Sequence, residues 1–193
     1  MPFLRHRRAS GLSATLALAV VGSRSTHAVA SDSDPKGAVG VDLKAVLLLH
    51  FAEFVEWPSE AFPNRDAPIV IGILGDDPFG ARLDDVVANE VRERKLSIQR
   101  FHDPEDVGLC HILYVSGADP ARIAHVLSVL KGRSILTVGE SADFTALQGI
   151  VRFVVADRKL HLEINTEAAR AAKLEIRSKL LRQASIVDGA GSP

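Results

Sequence analysis

The sequence predicts an α/β fold: an open, mostly parallel sheet with helices on both faces, ending in an antiparallel hairpin. Three observations predict it. Short apolar runs (69–74 and 112–115) read as strands buried on both faces, with 135–138 as the next strand. They alternate with helix-period segments that open on the capping pairs Asp77-Pro78 and Asp119-Pro120. The apolar segments 150–155 and 160–164 are separated by only a short polar turn. The chain of 193 residues, 47% hydrophobic and 24% charged, has the composition of a folded protein rather than a disordered one.

The first element in order is a leader. Arg5, Arg7 and Arg8 precede the apolar run 9–22, and Ala28-Val29-Ala30 follows with the small-x-small pattern of a signal peptidase site. That order is the layout of a secretory signal, so 1–30 is expected to be cleaved near Ala30. About 14 apolar residues fall short of the roughly 20 that a spanning helix needs. Removing 1–30 takes away four arginines and no acid, leaving 19 basic against 24 acidic side chains, a mildly acidic exported chain of 163 residues with net charge −5. Such a balance gives no footprint for nucleic-acid binding.

Residues 31–38 are polar and read as a flexible lead-in, 39–187 as one domain, and 188–193 as a disordered tail. Within the domain, 41–57 has helical apolar spacing that Pro58 ends. Strand 69–74 leads into a helix with apolar Leu83, Val86, Val87 and Val91. Leu96, Ile98 and Phe101 suggest a strand, followed by strand 112–115. Ile123, Val126, Leu127 and Leu130 form the apolar side of the next helix, and Gly132 stops it. Strand 135–138 precedes a short helix over 141–147. The hairpin turns at Asp157-Arg158, where the lack of glycine suggests a turn longer than two residues. Asn165 caps a helix through Lys173, and 178–185 reads as a last helical segment. The sum is a three-layer, Rossmann-like or flavodoxin-like arrangement.

Chemistry is sparse. The turn at 75–80 sits where a phosphate loop would, but it carries two acids and no following lysine, so it reads as a cap. His50, His102, His111, His125 and His161 include no pair at metal-ligand spacing. No nucleophile motif is present. The paired carboxylates, such as Asp84-Asp85, fall in caps and on helix surfaces. No catalytic, metal or cofactor residue is therefore assigned, and the chain is not expected to be an enzyme. Cys110, the single cysteine, abuts an apolar strand and reads as a buried, inert thiol.

The first helix carries more apolar surface than one sheet contact needs. Leu43, Leu47, Phe51 and Phe54 make its apolar side, while Val46 and Leu49 interrupt the acidic side formed by Asp42, Glu53 and Glu56. Trp57-Pro58 adds an aromatic anchor of the kind enriched at interfaces. Val46, Leu49, Glu53, Trp57 and Pro58 are accordingly the candidate partner or dimer interface. Leu49→Glu should change the oligomeric state with the fold kept, whereas Phe51→Glu should cost several kcal/mol through a buried unpaired charge.

These residues carry a resemblance. Lys44-Ala45 and 51–58 (FAEFVEWP), 74–80 (LGDDPFG), 110–116 (CHILYVS), 135–139 (ILTVG), Phe153 with 162–165 (LEIN), and 178–181 (SKLL) resemble, in order, the motifs of the YfiR family. The resemblance implies a periplasmic, non-catalytic, dimeric protein. It would bind the periplasmic sensor domain of a membrane-anchored GGDEF-type diguanylate cyclase and keep cyclic-di-GMP low, and an outer-membrane lipoprotein could sequester it. Such members often carry a first-strand cysteine that joins a disulfide; here Gly72 stands near that position and Cys110 is left alone. The rival expectation is a periplasmic small-ligand-binding protein, or an accessory to an outer-membrane receptor. Its ligand would sit at the strand carboxyl ends near Gly75, Ser116 and Gly139.

Overall fold

The computed structural model describes residues 35–88 and 94–187. The leader 1–30, the tail 188–193, residues 31–34 of the lead-in and Val91 lie outside the described residues.

Seven strands form the main sheet: β2 (Ile69–Leu74), β3 (Leu96–Phe101), β4 (Ile112–Val115), β5 (Leu136–Gly139), β6 (Val151–Ala156), β7 (Lys159–Asn165) and β9 (Ala184–Val187), in the order β3-β2-β4-β5-β6-β7-β9. The first five in that order run parallel; β7 is antiparallel to β6, and β9 is parallel to β7. A second, two-stranded sheet pairs β1 (Val55–Glu56) with β8 (Glu175–Ile176). The mostly parallel three-layer architecture is the one the sequence predicts. Every residue of β2, β4 and β5 is buried, as strands covered on both faces must be.

Helices α1 (Pro35–Phe54) and α2 (Ala81–Ala88) cover one face, where Leu48, Phe51 and Leu83 pack with Ile71, Ile73, Ile112 and Val138. Helix α3 (Pro120–Val129) covers the other, where Ile123, Val126 and Leu130 pack with Leu74, Leu113 and Val115. The predicted caps are in place. Asp77 Oδ1 accepts from the amides of Phe79 and Gly80, Asp119 Oδ1 from Ala121, and Asn165 Oδ1 from Ala168 at the start of α4 (Thr166–Ala171). Gly132, at φ 81°, takes the left-handed conformation that stops α3.

Five expectations need correction. Helix α1 begins at Pro35, inside the expected flexible lead-in. It ends at Phe54 rather than Trp57, because Val55 and Glu56 pair with Ile176 and Glu175, and the Arg177 amide donates to the Phe54 carbonyl. Segment 141–147 is a run of turns, not a helix. Phe144 is fully buried, and a Cβ on Gly139 or Gly149 would lie within 2.5 Å of its ring. Burying that ring between two glycines sets the backbone path, and Gln148 adopts φ 76°. The hairpin turn is two residues after all: Asp157 (φ 50°) and Arg158 (φ 60°) form a type I′ turn, matched to the twist of the strands. Finally, the helix expected over 178–185 is only α5 (Ser178–Leu181). The chain then forms β9 alongside β7, so the sheet does not end at the hairpin.

Candidate functional site

The predicted interface residues do not share one surface. Leu49 is 2% exposed, a core residue that offers nothing to a partner. Val46, Trp57 and Pro58 are half-buried and Glu53 is exposed. The inward side of α1 is set by Ala45, Leu48 and Leu49, with Ala52 partly buried beside them. It is thus rotated from the predicted Leu43–Leu47–Phe51–Phe54 side, of which only Phe51 is fully buried. The signal that could have found this is the pair of alanines seven residues apart, where small side chains let a helix sit close on a sheet. Rotation leaves Leu43, 46% exposed, on an outward stripe with half-buried Val46, Leu47 and Phe54 and exposed His50. Glu53 flanks the stripe, the His50 ring meets Phe54 edge-on at 6.4 Å, and Lys179 Nζ stands 5.3 Å from the Phe54 centroid.

Trp57 works inward. Its Nε1 donates to the His111 carbonyl at 3.1 Å, and its ring stands edge-on to the His111 imidazole. His111, fully buried, accepts from the Val70 amide at Nδ1 (3.0 Å). The proton therefore sits on Nε2, which donates to the Ala61 carbonyl at 3.2 Å. Phe62 stacks on the imidazole at 4.4 Å, and the Arg94 guanidinium lies 4.1 Å over Phe62 while donating to the Ala67 carbonyl. Burial first, and then the charge of Arg94, push the His111 pKa down to about 4. The imidazole is a neutral pin for loop 57–67, a role that histidine spacing could not show.

A partly buried polar group ties α1 to the sheet. Lys44 Nζ lies 2.8 Å from both carboxylate oxygens of Glu140, and the Tyr114 hydroxyl donates to Oε1 at 2.5 Å. Burial, the hydrogen bond and the negative charge of Glu140 all raise the Tyr114 pKa, so the phenol stays protonated. Beyond α2, Arg100 bridges Asp77 and Asp84 at 2.7 Å each. Burial opposes ionisation of Asp77, but Arg100 and the Phe79 and Gly80 amides hold its carboxyl below the ordinary value.

The strand order reverses between β2 and β4, and a cleft of about 570 Å³ opens at their carboxyl ends. It brings together Gly75, Asp76, His102, Ser116 and Arg122. Gly139, expected there too, instead packs against Phe144. Arg122 donates to the His102 carbonyl, and Asp119 is engaged as the cap of α3. Among the described residues, no group of three or more His, Cys, Asp or Glu is placed to hold a metal. None of the described helices is long and apolar enough to cross a membrane.

Cys110 is buried, and burial raises its thiol pKa to about 12, which leaves it protonated at neutral pH. Its neighbour across the sheet is Gly72: a Cβ built there would lie 2.7 Å from Cys110 Sγ. The glycine thus occupies the place from which a first-strand cysteine would reach Cys110.

No curated protein matches the chain. The family model described as YfiR/HmsC-like matches residues 41–185, which is all of the α/β domain except the first turns of α1 and the end of β9. With the mostly parallel sheet and the ordered motifs from Lys44 onward, that match means the chain belongs to the YfiR/HmsC-like family.

Proposed function

We propose that this protein is an exported regulator that binds the periplasmic sensor domain of an inner-membrane GGDEF-type diguanylate cyclase and holds cyclic-di-GMP synthesis low. Membership of a family of periplasmic cyclic-di-GMP regulators supports a regulatory rather than a catalytic role. The observation that carries the reading is the outward stripe of α1. Leu43 is exposed, and half-buried Val46, Leu47 and Phe54 lie beside it, on a helix that Lys44 and Glu140 anchor to the sheet. A rigid helix offering an apolar face suits docking into a groove on a partner. Glu53 flanks that face, and the same stripe would serve the homodimer or an outer-membrane lipoprotein that withdraws the repressor. Export rests on the leader 1–30, cleaved near Ala30.

Repression needs only differential affinity. Binding one conformation of the sensor about 10⁴-fold more tightly than the other moves a 1:99 equilibrium to 99:1. The test is binding to the purified sensor domain of a GGDEF protein encoded beside this gene. Saturable binding that Leu43→Glu weakens at least tenfold supports the reading; no binding, or binding indifferent to Leu43→Glu, refutes it.

The switch-point cleft favours a second reading, a periplasmic small-ligand-binding protein or receptor accessory. A thermal-shift screen with periplasmic metabolites tests it, since a ligand at 100 times its Kd stabilises by about 2.7 kcal/mol.

A further inference from the structure

At the amino ends of β5 and β6, at the far end of the sheet from the switch-point cleft, a separate, mainly apolar groove of about 570 Å³ lies between α3 and α4. Ile135 and Ile150 line its floor. Its walls are Ala124 and Leu127 of α3 and Ala168 and Ala171 of α4. The groove exists because both helices carry alanine where larger side chains would close the gap.

The polar atoms inside are already used: Thr137 Oγ1 accepts from the Ile150 amide, and Ser128 Oγ donates to the His125 carbonyl. The charged residues on the lining are Lys131 and Arg133, both cations, and none of the lining residues is acidic. Arg133 donates to the carbonyls of Val107 and Gly108, and among the described residues neither cation meets a carboxylate. The carbonyl end of α3 carries roughly half a negative charge, which the two cations together exceed.

We propose that this groove binds a single-chain amphipathic carboxylate, of the size of a medium-chain fatty acid anion. Its alkyl chain lies along the alanine-lined walls and its carboxylate meets Lys131 at the rim. The volume falls within the roughly 300–1,000 Å³ of small-molecule sites, which combine an apolar lining with a few orienting polar groups. The charge asymmetry selects an anion over a neutral or cationic chain. The proposal stands apart from the regulatory reading, since it needs no protein partner.

The experiment is calorimetric titration of the intact protein with hexanoate, octanoate and decanoate. We expect one saturable site, with each added methylene tightening binding about fourfold until the groove is full. Decanol and decyltrimethylammonium should bind at least tenfold more weakly than decanoate. Ala124→Trp, at an exposed wall position, should abolish decanoate binding with the melting temperature kept; Ala171→Met provides the same test from the opposite wall. Lys131→Glu should weaken decanoate and leave decanol unchanged. The proposal fails if decanoate shows no saturable binding, if decanol binds as tightly, or if both wall variants bind decanoate as the parent does.

Discussion

Replacing Gly72 by alanine measures how tightly the centre of the sheet is packed. A Cβ at this position would lie 2.7 Å from Cys110 Sγ, 2.7 Å from Leu113 Cδ1 and 2.9 Å from Phe101 Cε2. Real side chains do not approach so closely, so three neighbours must shift at once. Leu113 is fully buried in β4, Cys110 is buried beside it, and only Phe101, on edge strand β3, has room to turn. Overpacking of this kind costs about 1–3 kcal/mol, against which alanine recovers about 0.5–1 kcal/mol of the strand penalty of glycine. The net loss centres on about 1 kcal/mol within a span of about 0–2.5 kcal/mol, and the central value is a fall in Tm of roughly 2–5 °C for a domain of this size. Gly108→Ala is the control, because a Cβ there meets nothing within 4 Å. Gly72→Cys goes further. The new Cβ meets Cys110 Sγ, so oxidation should close a 38-residue loop, worth about 4 kcal/mol in the chain-entropy account. Thermal denaturation under reducing and oxidising conditions, with thiol counting by mass, reads both effects. Gly72→Ala as stable as the parent, or Gly72→Cys keeping two free thiols under oxidant, would refute the packing described here.

Further predictions concern α1, the histidine pin and the partly buried ion pair. Leu49→Glu and Phe51→Glu should both unfold the domain, since each buries an unpaired charge, whereas Leu43→Glu should keep the fold; circular dichroism and size-exclusion chromatography distinguish them. His111, held neutral with its pKa near 4 against 6.5 when unfolded, takes up its proton earlier in the unfolded chain. Its contribution is therefore fully present above pH 6.5 and is lost as pH falls from 6.5 towards 4, by at most about 3 kcal/mol. Denaturant midpoints across that range should fall more steeply for the parent than for His111→Gln, and parallel curves would contradict the neutral pin. Glu140→Gln leaves Lys44 without its charge partner and should cost about 1–3 kcal/mol by urea denaturation, with the far-ultraviolet spectrum unchanged.

What the sequence revealed follows from how local each signal is. Strands β2 and β4 are apolar at every position, and Asp77, Asp119 and Asn165 cap within a few residues of themselves, so neighbours in the chain settle these features. The facing of α1 is not local: apolar residues surround much of the helix, and the sheet chooses the alanine side. Leu49 therefore moved from candidate interface to core, and Leu43 from core to surface. Strand β9 depends on the open edge of β7, and the turns at 141–149 on a cavity for Phe144 made by two distant-looking glycines. The role of His111 needed Val70, Ala61 and Phe62, drawn from two separate segments. None of these pairings leaves a periodic trace in the sequence.

The most direct test of the regulatory account is the intracellular cyclic-di-GMP level in the native host, measured by mass spectrometry. The account predicts that deleting the gene raises the level, that the intact gene restores it, and that neither Leu43→Glu nor a chain lacking residues 1–30 does so. An unchanged level on deletion, with the neighbouring cyclase intact, would contradict it.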